Sequence, residues 1–212
     1  MFGIENLPVF IGTGILLNLY PGPDTLYIIG RSVSQGRTAG VYAVLGISTG
    51  ALVHSIIGAM GLSAILTTSA HAFMVVKYIG AAYLIYQGIK MIFEKQKSNQ
   101  NSVDIIHQKG LFKVYKQGAL TNILNPKVAI FFMALLPQFI SVESTNKALS
   151  FIMLGLIFIT TGTIWCLIVA LFSSGLSHRL RKNSSNMKWL MRLNGALFTY
   201  LGVKLATSKF GS

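Results

Sequence analysis

Apolar residues fall in six long stretches along the chain, separated by shorter polar segments. Each stretch comes close to the roughly 20 residues that an α-helix needs to cross the hydrocarbon core of a bilayer. The segment 110–118, GLFKVYKQG, carries two lysines and is interpreted as an interfacial lead-in to the fourth stretch. The pattern predicts an all-α membrane protein with six transmembrane helices. These helices cover about residues 7–30, 39–66, 72–93, 118–140, 147–172 and 188–207.

The composition agrees with a membrane protein and narrows the chemistry. Of the 212 residues, 52% are hydrophobic and 11% are charged, well below the roughly 25% charged residues of soluble domains. This length predicts a single transmembrane domain, residues 1–212. Cys166 is the only cysteine, so no intramolecular disulfide or cysteine-rich metal site can form. The histidines show no ligand spacing and no dinucleotide motif is supported, so neither a metal nor a cofactor is expected.

The net charge of +13 is distributed unevenly along the chain. Of the 18 Lys and Arg residues, 13 lie in or beside the connections after the first, third and fifth helices. The positive-inside rule therefore places these connections in the cytoplasm and both termini outside. The longest connection, about residues 94–110, is predicted to be a solvated cytoplasmic loop. Because the charges lie between apolar stretches and no recognition pattern is present, we expect no nucleic-acid partner.

The two halves of the chain resemble each other in sequence. GILLN at 14–18 matches GALTN at 118–122, an offset of 104 residues. GAAYLIYQGIKM at 80–91 matches GALFTYLGVKL at 195–205 with a one-residue gap. A duplicated unit of three helices must enter the bilayer from the opposite side, which predicts two inverted repeats of the kind found in many secondary transporters. The repeats cover about residues 7–93 and 111–207.

Proline interrupts the first and fourth predicted helices. Pro21 and Pro23 flank a glycine in YPGPD, and Pro126 lies within LNPK. Proline has no amide hydrogen and clashes with the carbonyl four residues before it, so each break deprives carbonyls of their helical partners. The affected carbonyls belong to Leu17, Leu19 and Asn122. In hydrocarbon such groups must be satisfied by protein, water or ligand, so both breaks indicate an internal polar cavity.

A charged residue stands beside each break. Asp24 follows the first break and Lys127 the second, and each costs about 2.5 to 3.5 kcal/mol within a membrane, so we expect them to pair or to share a water-filled cavity. New half-helices are predicted to start at about Asp24 or Thr25 and at Asn125 to Pro126, with N-terminal amides that favour anions. Lys127 and these amides would bind a carboxylate and Asp24 an ammonium, and Asp24 could also carry a driving proton.

Each of these residues also has a purely structural explanation. Asp24 could cap the second half-helix, the prolines could form kinks without a ligand, and Lys127 could extend to the membrane interface. Two related breaks, each beside a charge, favour a binding site over these explanations. His54, in GALVHSIIG, is expected to face either a neighbouring helix or the cavity.

The segments YPGPDTLYIIGRSVSQGRTAG and LTNILNPKVAIFFMALLPQFI, with the length and the six helices, resemble the LysE/RhtB family of bacterial amino-acid exporters. The resemblance covers nearly the whole chain. It implies efflux of amino acids or similar small zwitterionic metabolites across the bacterial inner membrane by proton antiport, without fixing the substrate. The family's motif positions correspond to Pro21, Gly22, Pro23, Asp24, Asn122, Asn125, Pro126, Lys127, Pro137 and Gln138.

The predicted substrate site combines most of these positions with Asn18, the repeat partner of Asn122. It comprises Asn18, Pro21, Gly22, Pro23, Asp24, Asn122, Asn125, Pro126 and Lys127. Asp24 is also the predicted proton-coupling residue. The expected partners are an amino acid, protons and the lipid bilayer, and the sequence leaves open whether the unit is a monomer or a homodimer.

Three other functions fit the sequence less well. A metal-ion exporter of the related superfamily could use freed carbonyls and a carboxylate, but it predicts more carboxylates within the helices than Asp24 alone. A membrane enzyme would need a nucleophile with a base or a metal-binding set, which the sequence does not offer. A non-transporting scaffold gives no reason for two matched breaks.

Overall fold

The computed structural model describes residues 3–68, 70–93, 110–141, 143–182 and 184–207. Within these ranges the chain is almost entirely helical, and a single antiparallel bridge joins Ile4 to Ile140. The prediction of an all-α protein is therefore confirmed. The α-helices are α1 (Leu7–Leu19), α2 (Pro23–Gln35), α3 (Arg37–Thr68), α4 (Ala70–Phe93), α5 (Leu111–Ile123), α6 (Pro126–Ile130), α7 (Lys147–Lys182) and α8 (Ser184–Thr207). A π-helical segment, Phe131–Leu135, and a 3-10 turn, Leu136–Phe139, follow α6 directly.

The predicted start of the fourth helix, at residue 118, is wrong. Helix α5 begins at Leu111, so the segment that was interpreted as an interfacial lead-in is helical and continuous with the rest of α5. The two lysines of this segment are exposed, whereas Val114 and Gly118 are buried. The charges on the outer face of the helix masked its apolar face, which packs on α3.

Two helix segments of the described residues are long and apolar enough to cross a membrane, Arg37–Gly61 in α3 and Lys147–Ser173 in α7. A third candidate is formed by α5 together with Pro126–Phe139, and its two parts are bent by 50°. Helix α1 is apolar but only 13 residues long. The chain is therefore a helical membrane protein with two or three candidate spans by this measure.

The buried apolar side chains form two clusters. The aromatic cluster is built around Phe10, Phe131, Phe132 and Phe158, and the Phe131 and Phe158 rings stack with centroids 4.3 Å apart. The aliphatic cluster joins α2, α3, α5 and α7 and consists of Ile28, Ala43, Val44, Ile47, Val114, Val169 and Ala170. A small cavity adjoins both clusters, because Phe158 of the first and Ile47 of the second belong to its wall.

Glycines bring α3 and α5 into close contact. A Cβ atom on Gly50 of α3 would lie 2.7 Å from the backbone oxygen of Ala119 and 2.8 Å from Cβ of Asn122. A Cβ on Gly118 of α5 would lie 2.7 Å from the backbone oxygen of Ala43. Small residues at such positions let helix backbones approach, which is a main source of helix association in membranes.

Replacing Gly50 with alanine is expected to destabilise the protein by about 1 to 3 kcal/mol, because the added methyl group meets backbone that cannot move aside. Gly61→Ala is the matched control in the same helix, since a Cβ at Gly61 meets nothing within 4 Å. Thermal unfolding of the purified variants in detergent measures the difference. Equal melting temperatures for the two variants would contradict this account of the α3–α5 contact.

Candidate functional site

The connection between α1 and α2 leaves backbone carbonyls without helical partners. Helix α1 ends at Leu19, Tyr20 and Gly22 have extended backbone, and α2 begins at Pro23. Because Pro21 has no amide hydrogen, the carbonyl of Leu17 cannot complete its helical bond. The ammonium of Lys127 takes that place, donating to Leu17 O at 2.7 Å and to Tyr20 O at 3.2 Å. A side chain from the second half of the chain thus satisfies carbonyls in the first.

The connection between α5 and α6 has the opposite arrangement, in which a side chain from the first half of the chain binds a carbonyl of the second half. Helix α5 ends at Ile123, and Asn125 caps α6 by accepting a hydrogen bond from the backbone amide of Lys127 at 3.0 Å. The carbonyl of Asn122, four residues before Pro126, accepts from the backbone amide of Asn125 at 2.9 Å. It also accepts from Nε2 of His54 in α3, at 3.1 Å. Here a side chain from the first half of the chain satisfies a carbonyl in the second.

Asp24 points from α2 to the α5–α6 connection. Its Oδ2 accepts hydrogen bonds from Nδ2 of Asn122 at 2.8 Å and from Nδ2 of Asn125 at 3.0 Å. The N-cap position of α2 is occupied by Gly22, and no side-chain cap bond is formed there. The explanation of Asp24 as a helix cap is therefore wrong. Its carboxylate is held by amides of the other half of the chain.

A cavity of about 50 Å³ lies between the two connections, enough for a few water molecules. It contains six of the nine residues of the predicted site in its wall: Asn18, Gly22, Asp24, Asn122, Asn125 and Lys127. The other three predicted residues are not in the wall: Pro23 and Pro126 begin α2 and α6, and Pro21 lies in the α1–α2 connection. The prolines thus shape the backbone, and the polar side chains face the space that it leaves.

Asp24 and Lys127 belong to the wall of the same cavity, as expected, but they take their hydrogen bonds from different partners. The carboxylate is bound by two asparagine amides, and the ammonium is bound by two backbone carbonyls. Lys127 therefore crosses to α1 instead of extending to an interface. The ring of Tyr20, 5.3 Å from the ammonium, adds a cation–π contact.

Three buried side-chain atoms of cavity residues lack a hydrogen-bond partner within the described chain. They are Nδ2 of Asn18, Oδ1 of Asp24 and Oδ1 of Asn122. The orientation of the Asn122 amide follows from its bond to Asp24, because only the NH₂ group can donate to a carboxylate. A buried polar atom without a partner costs about 1 to 3 kcal/mol, so the cavity is suited to a ligand that supplies complementary groups.

Several wall residues were not singled out from the sequence. Ser48 of α3 and Thr163 of α7 share a hydrogen bond of 2.7 Å across the cavity wall. Thr25, Phe158, Gly162 and Cys166 also belong to the wall. Small polar residues are common inside apolar helices, so their spacing carries no signal that separates these positions from ordinary helix contacts. His54 is not part of this wall. It faces the neighbouring helix α5, where it binds the carbonyl of Asn122, and this is the first of its two expected environments.

The chain is similar to known bacterial membrane proteins. Residues 15–209 match the LysE type translocator family, so the chain belongs to that family. An uncharacterized membrane protein of Bacillus subtilis, YrhP, is 29% identical over 212 residues, covering 97% of this chain and 100% of its own length. The leucine efflux protein of Salmonella typhimurium is 28% identical over 211 residues, covering 97% of each chain. No solved structure is significantly similar to the chain.

The family that the motifs suggested is thereby confirmed. A membrane protein of Vibrio cholerae is also similar, at 28% identity over 94% of this chain. Together with the apolar helices, these relationships place the protein in a family of transmembrane translocators.

Replacing His54 with leucine removes one of two donors from the carbonyl of Asn122, which keeps the backbone amide of Asn125, and is expected to lower the free energy of unfolding by about 0.5 to 1.5 kcal/mol. His54→Gln is the matched variant, because a glutamine amide reaches about as far and retains a donor. We expect its stability to lie between those of the leucine variant and the natural protein. Thermal unfolding in detergent checks this order, and a leucine variant at least as stable as the glutamine variant would contradict it.

Proposed function

We propose that the protein is a secondary transporter that exports amino acids or similar small zwitterionic metabolites from the cytoplasm across the bacterial inner membrane by proton antiport. The observation that carries this proposal is the set of unpaired atoms in the cavity. Two of them are acceptor oxygens, on Asp24 and Asn122, and one is an amide donor, on Asn18. A zwitterion needs acceptors for its ammonium and donors for its carboxylate within one small space.

In this arrangement the substrate ammonium binds Oδ1 of Asp24 and Oδ1 of Asn122. The substrate carboxylate binds Nδ2 of Asn18 and the N-terminal end of α2. At this end the amide of Leu26 donates to the carbonyl of Gly22, and the amides of Asp24 and Thr25 before it are available to a ligand. Lys127 contributes its positive charge to the same cavity. Asn125 holds Asp24 in place, and the prolines and Gly22 keep the backbone open.

The rest of the cavity wall is suited to an apolar side chain. It includes Leu17, Ile47, Val128, Phe158 and Ile159. The similarity to leucine efflux proteins of Salmonella agrees with such a wall. We therefore propose leucine and related aliphatic amino acids as the first substrates to test.

The helix bounds support the six-span inverted repeat. Helices α1 and α5 are both 13 residues long and begin 104 residues apart, the offset of the matching GILLN and GALTN motifs. Helices α4 and α8 are both 24 residues long. We propose that α1 with α2, and α5 with α6 and the turns that follow, are two broken spans, and that α3, α4, α7 and α8 complete the six. The distribution of Lys and Arg then places both termini outside the cytoplasm.

Alternating access requires contacts that can separate on each side of the cavity. On the side predicted to be cytoplasmic, α2 and α5 are joined by polar contacts. The hydroxyl of Tyr27 donates to the carbonyl of Val114 at 2.8 Å, and Nη2 of Arg31 donates to Oε1 of Gln117 at 2.8 Å. The aromatic cluster closes the opposite side. We propose that the α2–α5 contacts separate to admit the substrate from the cytoplasm.

A metal-ion exporter is the second candidate considered, and the geometry argues against it. The carbonyl of Leu17, which such an exporter could use as a ligand, is already bound to the Lys127 ammonium. A fixed positive charge at this point repels a metal cation. Asp24 is the one carboxylate in the described cavity wall.

Asp24→Asn is expected to abolish proton-coupled efflux while leaving expression intact, because the amide cannot gain and lose a proton in the working pH range. Proteoliposomes loaded with leucine and given a pH gradient measure the effect. The gradient should accelerate efflux by the natural protein, and the Asp24→Asn rate should be lower by at least about tenfold, or about 1.4 kcal/mol. Glu143→Gln, which neutralises an exposed carboxylate, is the matched control. Unchanged coupled transport by Asp24→Asn would remove Asp24 from the mechanism.

The substrate is tested separately in cells. A deletion strain is loaded with dipeptides, with and without this protein, and the amino acids that appear outside are measured. We expect aliphatic amino acids to leave faster when the protein is present. If every amino acid tested left at the same rate with and without the protein, the proposed function would be contradicted.

A further inference from the structure

The Lys127 ammonium fills a small set of acceptor groups in the α1–α2 connection. Its nitrogen lies 2.7 Å from the carbonyl oxygen of Leu17 and 3.2 Å from that of Tyr20, and the Tyr20 ring lies 5.3 Å away. All three groups present negative charge or negative potential toward the nitrogen. The side chain that fills this place comes from α6, in the other half of the chain.

Carbonyls freed by an unwound transmembrane helix are a common binding place for a coupling cation. In transporters with inverted repeats, unwound backbone carbonyls bind Na⁺ or the groups that carry H⁺. Here the carbonyls of Leu17 and Tyr20 have this character, because Pro21 and the extended residues after it interrupt the helix. An ammonium and an alkali cation that has shed its water both need a set of oxygen acceptors around one positive charge.

We propose that Lys127 is a tethered cation that takes the place of a free coupling cation at the α1–α2 connection. The protein then needs no Na⁺ or K⁺ to stabilise this connection, and Lys127 holds α6 to α1 in the state described here. The inference rests on the proposed function for its transport readout, but its stability readout is independent of any substrate. Lys127 acts here as a positioning residue for the backbone that carries Asn18 and Asp24.

Lys127→Ala opens the place that the ammonium fills. The alanine variant lacks three methylene groups and the ammonium, so propylammonium is the free cation that matches the lost part. Losing a buried hydrogen bond to a charged group is expected to slow leucine efflux from proteoliposomes by about tenfold or more. Propylammonium, or Na⁺ in place of choline, should restore part of the rate. Lys204→Ala, which removes an exposed lysine from α8, is the matched control and should respond to neither cation.

Thermal unfolding in detergent gives the second readout. Propylammonium should raise the melting temperature of Lys127→Ala by about 2 to 4 °C relative to choline, with no such shift for the natural protein or for Lys204→Ala. Leucine efflux by the natural protein should have the same rate in Na⁺, K⁺ and choline.

The outcomes separate the two proposals. A strict Na⁺ or K⁺ requirement in the natural protein would overturn the tethered-cation role, and this measurement does not depend on whether any variant folds. A folded Lys127→Ala variant whose stability and transport ignore both cations would overturn it as well. If the natural protein moves no amino acid while the stability of Lys127→Ala responds to propylammonium, the proposed function fails and the role of Lys127 stands.

Discussion

The fold depends on hydrogen-bond donors for the backbone carbonyls that lose their helical donors at Pro21 and Pro126. A membrane interior offers no water to such groups, and each one left alone costs several kcal/mol. The protein supplies a donor from the opposite half of the chain in both cases, and the carbonyl of Asn122 also accepts from the backbone amide of Asn125. Lys127 binds the carbonyl of Leu17, and His54 binds the carbonyl of Asn122. The helix interruptions are thereby turned into contacts that join the two halves.

The same reciprocity extends to the charged groups. Asp24, at the start of α2, is bound by two asparagines of the α5–α6 connection, and Lys127 is bound by two carbonyls of the α1–α2 connection. Neither charge needs the other as a direct partner, so the space between them stays open. A direct salt bridge would have filled that space with protein and left less room for a zwitterion. Apolar residues of both clusters, Phe158 of the aromatic one and Ile47 of the aliphatic one, belong to the cavity wall.

The sequence predicts the parts of this site that follow from local chemistry. Proline removes a helical bond wherever it stands, so the interruptions and the released carbonyls of Leu17 and Asn122 can be located in advance. The cost of a buried charge likewise points to Asp24 and Lys127. The partners of these groups cannot be read in the same way, because Leu17 and Lys127 are 110 residues apart and meet only through packing of the two halves. From the sequence, Lys127 was accordingly predicted to bind the substrate carboxylate. In the structure its ammonium donates to two backbone carbonyls.

Other differences between the predictions and the structure also arise from packing between helices that lie far apart in the sequence. The start of α5 was missed because its lysines lie on the exposed face, while Val114 and Gly118 form the buried one. His54 and the Ser48–Thr163 pair resemble many polar residues in apolar helices, and only the position of the neighbouring helix distinguishes them.

The unpaired oxygens of the cavity suggest why a proton and a substrate would move in opposite directions. Oδ1 of Asp24 faces the cavity without a donor, while Oδ2 of the same carboxylate already accepts two hydrogen bonds. A proton on Oδ1 supplies what this atom lacks, and so does a substrate ammonium. The two cannot do so together, because a protonated carboxyl has lost the charge that attracts the ammonium. In the proposed antiport, competition at this one oxygen is the step that couples release of the substrate to binding of a proton.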